Sequence, residues 1–153
     1  MDWHVLEYPN HQGIKETIKA LNHLYRDEPA LYEKGFEWSS FEWVDGGNSH
    51  DSILIYNRKG HDIENDLVVV LNMTPITHHG FRVGMPSKGK WTETFNSDAK
   101  TYWGSGVENG APLTSEVIGW HGREHSIAIT VPPLAAVIFK KAAVVPPKYE
   151  LKK

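Results

Sequence analysis

The sequence predicts a mainly β protein, an antiparallel β-sandwich preceded by one amphipathic helix. Three stretches carry that expectation. Asp66-Leu67-Val68-Val69-Val70-Leu71-Asn72-Met73-Thr74-Pro75 places apolar residues at both alternating positions, so neither face expects water. A short β-branched run closed by proline is a strand buried on both sides. Ser52 to Arg58 is a second apolar run, joined to the first through Gly60, His61, Asp62 and Asn65, which predicts an antiparallel pair at the centre of a sheet. Between Gln12 and Arg26, Ile14, Ile18, Leu21 and Tyr25 recur at steps of four, three and four, so they share one helix face.

The other elements follow in chain order. Asp2 to Tyr8 is too aromatic for a disordered leader, and Asn10 is placed to cap the helix. Glu28-Pro29 ends the helix, and Pro29 opens a short turn through Glu33 that Gly35 closes. Phe41 to Val44 is a short strand before a loop, Asp45 to Ser49. His78-His79-Gly80 is a turn before a weak strand, Phe81 to Gly84. Trp91 to Phe95 is a strand whose alternation is broken by Glu93, which shares the face of Trp91 and Phe95. Asn96 to Pro112 is a long Gly/Ser/Asn-rich excursion. Val117 to Trp120 begins a hairpin turning at His121 to Glu124. The next strand alternates, with Ile127, Ile129 and Val131 inward and Ser126, Ala128 and Thr130 outward. Leu134 to Phe139 is the last buried strand. Lys140 to Lys153, with Pro146-Pro147, is a tail. Many short strands after a single helix give a sandwich with a helical prefix.

The 153 residues suffice for one domain with a real core. A net charge of -3 argues against nucleic acid as a partner, because phosphate binding needs a basic surface. Cysteine is absent, which excludes disulfides, thiolate zinc sites and a cysteine nucleophile, and which fits a cytoplasmic location. No run is long enough to span a bilayer, and the start carries no signal-peptide pattern. No cofactor is expected. The Trp count is high, at six, and Trp serves both cores and sugar platforms.

Glycoside chemistry needs two carboxylates facing each other about 5 to 9 Å apart. Glu37, Glu42, Asp45, Asp51, Glu93 and Asp98 have no spacing that fixes such a pair, so no catalytic residue is assigned. His121 and His125 lie four apart, but Gly122 and the strand pattern after it make them turn histidines, so no metal site is assigned either. Gly104-Ser105-Gly106-Val107-Glu108-Asn109-Gly110 lacks the glycine spacing of a phosphate loop and is taken as a flexible loop. The aromatic group Trp91, Tyr102 and Trp103 is the candidate glucan-binding site, because aromatic faces stack on pyranose rings and a Gly/Ser/Asn loop presents them with polar partners. The alternative is that these rings plug the sandwich edge.

Several blocks resemble bacterial 1,4-α-glucan (glycogen) branching enzymes of the α-amylase family. They are Asp2-Trp3-His4-Val5-Leu6-Glu7, His11-Gln12-Gly13-Ile14 and Leu21-Asn22-His23-Leu24-Tyr25-Arg26. Further blocks are Gly35-Phe36-Glu37-Trp38, Asn72-Met73-Thr74-Pro75, Gly89-Lys90-Trp91-Thr92-Glu93, Tyr102-Trp103-Gly104-Ser105-Gly106 and His121-Gly122-Arg123-Glu124-His125-Ser126. The resemblance implies that residues 1–34 are a remnant of a catalytic (β/α)8 barrel with its last helix, that 35–140 are the all-β C-terminal domain, and that 141–153 are a tail. It implies that the catalytic carboxylates lie outside this chain. Met1 directly before the family-like Asp2 suggests a truncation or a broken reading frame. The expected partners are an α-glucan, bound weakly, the missing barrel, and a second copy of the chain in a homodimer through the Gln12–Arg26 helix. A free-standing carbohydrate-binding module and the same domain from another α-amylase-type enzyme are the alternatives.

Overall fold

The computed structural model describes residues 2–143. A 3-10 turn, Trp3–Glu7, leads into helix α1, Pro9–Asp27. Eight strands follow: β1 Phe41–Asn48, β2 Ile53–Arg58, β3 Leu67–Asn72, β4 His78–Met85, β5 Lys90–Asn96, β6 Leu113–Thr114, β7 His125–Val131 and β8 Ala136–Lys141. They form a six-stranded sheet in the order β1-β2-β3-β8-β5-β6 and a two-stranded sheet of β4 and β7, with every pairing antiparallel. Among the described residues, no helix is long and apolar enough to cross a membrane.

The expected central pair is present. β2 and β3 pair in continuous register from Ile53↔Asn72 to Arg58↔Leu67, and β8 covers the other edge of β3. Because side chains alternate along a strand, β3 serves two cores at once. Val68 and Val70 join Ile53, Ile55, Val137, Phe139 and Trp91 beneath Val83, Met85, Ile127, Ile129 and Val131 of the small sheet. Leu67 and Val69 point the other way, to Phe95, Ile138, Ala30, Ala20 and Leu24. The outer face of the large sheet is thus roofed by α1 and the turn after it. Asp66, buried just before β3, accepts hydrogen bonds from Asn57 Nδ2 (3.0 Å) and Gly60 N (3.2 Å), which ties the β2–β3 connection together.

Several sequence expectations are corrected. Asn10 lies inside the helix; Tyr8 occupies the capping position without a side-chain bond, because Pro9 takes the first turn with its φ already helical. β1 runs through the expected Asp45–Ser49 loop as far as Asn48, with register shifts at Asp45 and again before Asn48. β4 begins at His78, and an irregularity between His78 and Phe81 absorbs Gly80 at φ +66°. A bulge between Glu93 and Phe95 explains the broken alternation in β5: Trp91 stays in the inter-sheet core while Phe95 turns to the helix side. Ser126 is buried rather than outward, because the hairpin segment folds over it. Its hydroxyl donates to Ile118 O (2.7 Å) and accepts from Arg82 Nη1 (2.9 Å). Leu134 is exposed at φ +47°, so the last strand starts at Ala136. The hairpin before β7 is held by isolated bridges, Glu116↔Ser126 and Trp120↔Arg123, and turns through His121 and Gly122 at positive φ. β8 closes at Lys141; Pro146-Pro147 and most of the expected tail lie outside the described residues.

Candidate functional site

The long segment after β5 is built around Asp98. Its carboxylate accepts from Ser105 N (2.8 Å), Ser105 Oγ (2.5 Å) and Val107 N (3.0 Å), and Asn96 Oδ1 accepts from Asp98 N (2.9 Å). Burial alone would raise this carboxyl. The bonds from Ser105 and Val107, with Lys100 nearby, outweigh it and hold the group below the usual carboxylate range. Glu93 makes a second anchor, accepting from Asn96 Nδ2 (2.8 Å) and Asn109 Nδ2 (2.6 Å), while Asn109 also bonds both backbone groups of Thr130. The 104–110 stretch, expected to be flexible, is therefore pinned at its start to Asp98, just after β5, and near its end to Glu93 of β5 and Thr130 of β7.

This scaffold presents Tyr102 and Trp103 against α1. The 3-10 turn Lys100–Tyr102 sets Tyr102 half-buried on Phe95, ring centroids 5.5 Å apart. Trp103 follows at φ +67°, which swings its side chain out to 66% exposure. The helix approaches this turn through Gly13, the one buried residue of α1: a Cβ there would lie 2.7 Å from Tyr102 O and 2.8 Å from Trp103 Cβ. Trp91 does not join them. It is 0% exposed in the inter-sheet core and offers no face to a sugar. Of the three expected glucan residues, the structure brings together two.

Between α1 and this turn lie two adjoining clefts of about 280 and 190 Å³, sharing Ala20, His23 and Tyr102. Leu24, Asp27, Glu28, Thr94 and Phe95 complete the larger one. Sequence reasoning missed this groove, because Gly13, Thr17, Ala20 and Leu24 make a docking face of small residues that carries little hydrophobic signal. It also missed an aromatic cluster at the sheet edge, where Phe41 stacks on Tyr56 and both meet Trp43 edge-on, with ring centroids 5.0 to 6.1 Å apart. The alternation of Phe41 and Trp43 was the available signal. Phe36 and Trp38 stand fully exposed beside Phe41.

The remaining candidates have structural partners. Glu42 ion-pairs with Lys59 and with Arg123 Nη2 (3.0 Å). Burial would raise its carboxyl, but those two cations hold it below the usual range. Asp45 lies 3.6 Å from His121 Nε2. Burial lowers the His121 pKa, the Asp45 charge partly offsetting it. Glu37 takes a bond from Ser39, and Asp51 from Asn48. Among the described residues, no group of three or more His, Cys, Asp or Glu side chains could hold a metal.

The family described as alpha amylase, C-terminal all-beta domain, matches residues 43–142. The chain belongs to this family. The chain is 44% identical over 140 residues to the 1,4-alpha-glucan branching enzyme GlgB of Aquifex aeolicus, covering 92% of this chain and 22% of that protein. To the protein of the same name from Rubrobacter xylanophilus it is 43% identical, covering 92% and 19%. The chain thus spans about a fifth of the length of these curated relatives. Among solved structures, an alpha-amylase from H. orenii matches with a TM-score of 0.48 and 18% identity, covering 83% of this chain and 20% of that one.

Proposed function

We propose that this chain is the C-terminal region of a 1,4-α-glucan branching enzyme, acting in the cytoplasm. Residues 1–34 complete the catalytic barrel with its last helix, 35–140 form the sandwich, and 141–153 are a tail. The whole enzyme cleaves an α-1,4 link through a covalent glycosyl-enzyme and re-forms it as α-1,6. This piece supplies no catalytic carboxylate; it braces the barrel and contacts glucan weakly through Tyr102 and the exposed Trp103. The observation that carries this reading is that the likeness to the Aquifex relative covers 92% of the chain, more than the sandwich alone accounts for.

The exposed stripe Ile14, Ile18, Leu21 and Tyr25 supports the bracing role. These residues face away from the sandwich and stay exposed among the described residues, and an uncovered apolar row marks an interaction surface. In the whole enzyme the barrel covers it. In the isolated chain a second copy does, giving a homodimer through the Gln12–Arg26 helix.

The direct assay is iodine staining of amylose treated with the isolated chain. The expected spectrum matches that of a boiled control. A shift toward the branched-glucan spectrum, in protein free of host branching enzyme, would place catalytic groups inside this chain and overturn the proposal.

A further inference from the structure

Helix α1 divides its surface into three faces. Successive residues turn about 100° around the axis. Gly13, Thr17, Ala20 and Leu24 therefore form one row, which docks on the sandwich. Ile14, Ile18, Leu21 and Tyr25 form a second row, about 100° away on one flank. His23 and Asp27 fall on the opposite flank, roughly 180° from the apolar stripe. A partner seated on the stripe therefore leaves the His23–Asp27 flank open.

That open flank walls the groove described above. Tyr102 lines both clefts, with its ring half-buried and packed on Phe95. Ala20 and Leu24 continue the apolar strip beside it. His23 and Asp27 are exposed beside it; Arg26 engages His23 Nδ1 (3.0 Å) and both Asp27 carboxylate oxygens (2.7 and 3.2 Å), which leaves His23 Nε2 and the remaining lone pairs of Asp27 to a ligand. The ionised groups lining the clefts already have counter-charges: Glu28 with Lys140 (2.5 Å), Asp27 with Arg26 (2.7 Å), Glu16 with Lys19 (3.8 Å). An aromatic strip flanked by hydrogen-bonding groups and close to neutral in charge suits a ligand with apolar ring faces and hydroxyl edges. Lys19, the lysine in its wall, is already paired with Glu16, so an anion finds no free lysine there, and an apolar helix would bury the polar rim.

We propose that this groove is an α-glucan subsite, in which a pyranose ring stacks on Tyr102 while its hydroxyls bond to His23 and Asp27. The proposal rests on the glucan contact assigned to Tyr102 and Trp103 and moves its centre from the exposed Trp103 to the groove. The subsite stands at the junction of the last barrel helix and the sandwich, so it holds a glucan chain only when helix and sandwich are docked.

The test is a titration of the full chain with maltoheptaose, followed by amide NMR shifts, with cellohexaose as the β-linked control. The proposal expects saturable shifts at Ala20, His23, Leu24, Thr101 and Tyr102 with maltoheptaose and none with cellohexaose. Tyr102→Ala should abolish binding but risks loosening the loop. The exposed double variant His23→Ala, Asp27→Ala keeps the fold and should bind about three- to tenfold more weakly, the loss of one or two hydrogen bonds. Saturable shifts confined to residues outside the groove, with the double variant binding like the wild type, would overturn the subsite and leave glucan contact standing. No saturable shift at millimolar maltoheptaose would overturn both.

Discussion

Asp98 organises more of the chain than its position in a Gly/Ser-rich loop implies. Three donors from Ser105 and Val107 converge on its carboxylate, and the turn that results delivers Tyr102 and Trp103 to the helix. Removing the carboxylate would leave two backbone N–H groups without their acceptor. Asp98→Ala should therefore cost about 2 to 3 kcal/mol in chemical denaturation. The sign of the pH effect follows from the direction of the shift. The folded-state pKa is depressed, so the stabilisation is fully present above the ordinary carboxyl value of about 3.9 and is lost as pH falls through the lower folded value. Asp98→Asn should flatten the acid limb of a stability–pH curve; an unchanged limb would show that the carboxylate is not the anchor. None of this was legible in the sequence, where glycine and serine content argued for flexibility. The partners of Asp98 are seven and nine positions away, and no local period reports them. Trp91 was missed for a related reason. A buried and an exposed Trp look alike in a strand whose alternation is broken by a bulge, and only the register around Glu93 and Phe95 tells them apart.

At the scale of elements, α1 shows what periodicity captures and what it omits. The row Ile14, Ile18, Leu21 and Tyr25 was legible as an amphipathic face, and so was its lack of a partner within the sandwich. The face that docks was not, since Gly13 and Ala20 work by being small. Gly13 lets the helix backbone meet the Tyr102–Trp103 turn, a close approach that a larger residue would block. A helix held on one side and bare on the next carries an apolar row outward, and each side chain of this size stabilises by roughly 1.5 to 3 kcal/mol once fully covered. The isolated chain is accordingly expected to dimerise through this row. Light scattering after size exclusion should report twice the chain mass at high micromolar concentration. Ile18→Glu with Leu21→Glu should return it to the monomer, leaving the docking face of Ala20 and Leu24 intact. A monomeric wild type, or a dimer indifferent to both substitutions, would contradict the interface.

At the scale of the molecule, β3 makes the sandwich and the helix one body. Its two faces feed separate cores, one toward β4 and β7 and one toward α1, so the run Leu67 to Leu71 had to be apolar throughout. That run, the β2 pairing and the all-β class were readable because a strand buried on both faces leaves a continuous apolar signature. The split into six and two strands was not, because it depends on β8 crossing to lie between β3 and β5. On the reading proposed above, this whole body is the C-terminal region of a branching enzyme. This is tested most directly by transplanting the chain into the Aquifex aeolicus relative in place of the matching region and measuring amylose branching by iodine spectrum. The expected result is a folded chimera that branches amylose, while the same enzyme truncated before the transplanted region does not. A chimera that is soluble and cooperatively folded yet leaves the amylose spectrum unchanged would contradict it.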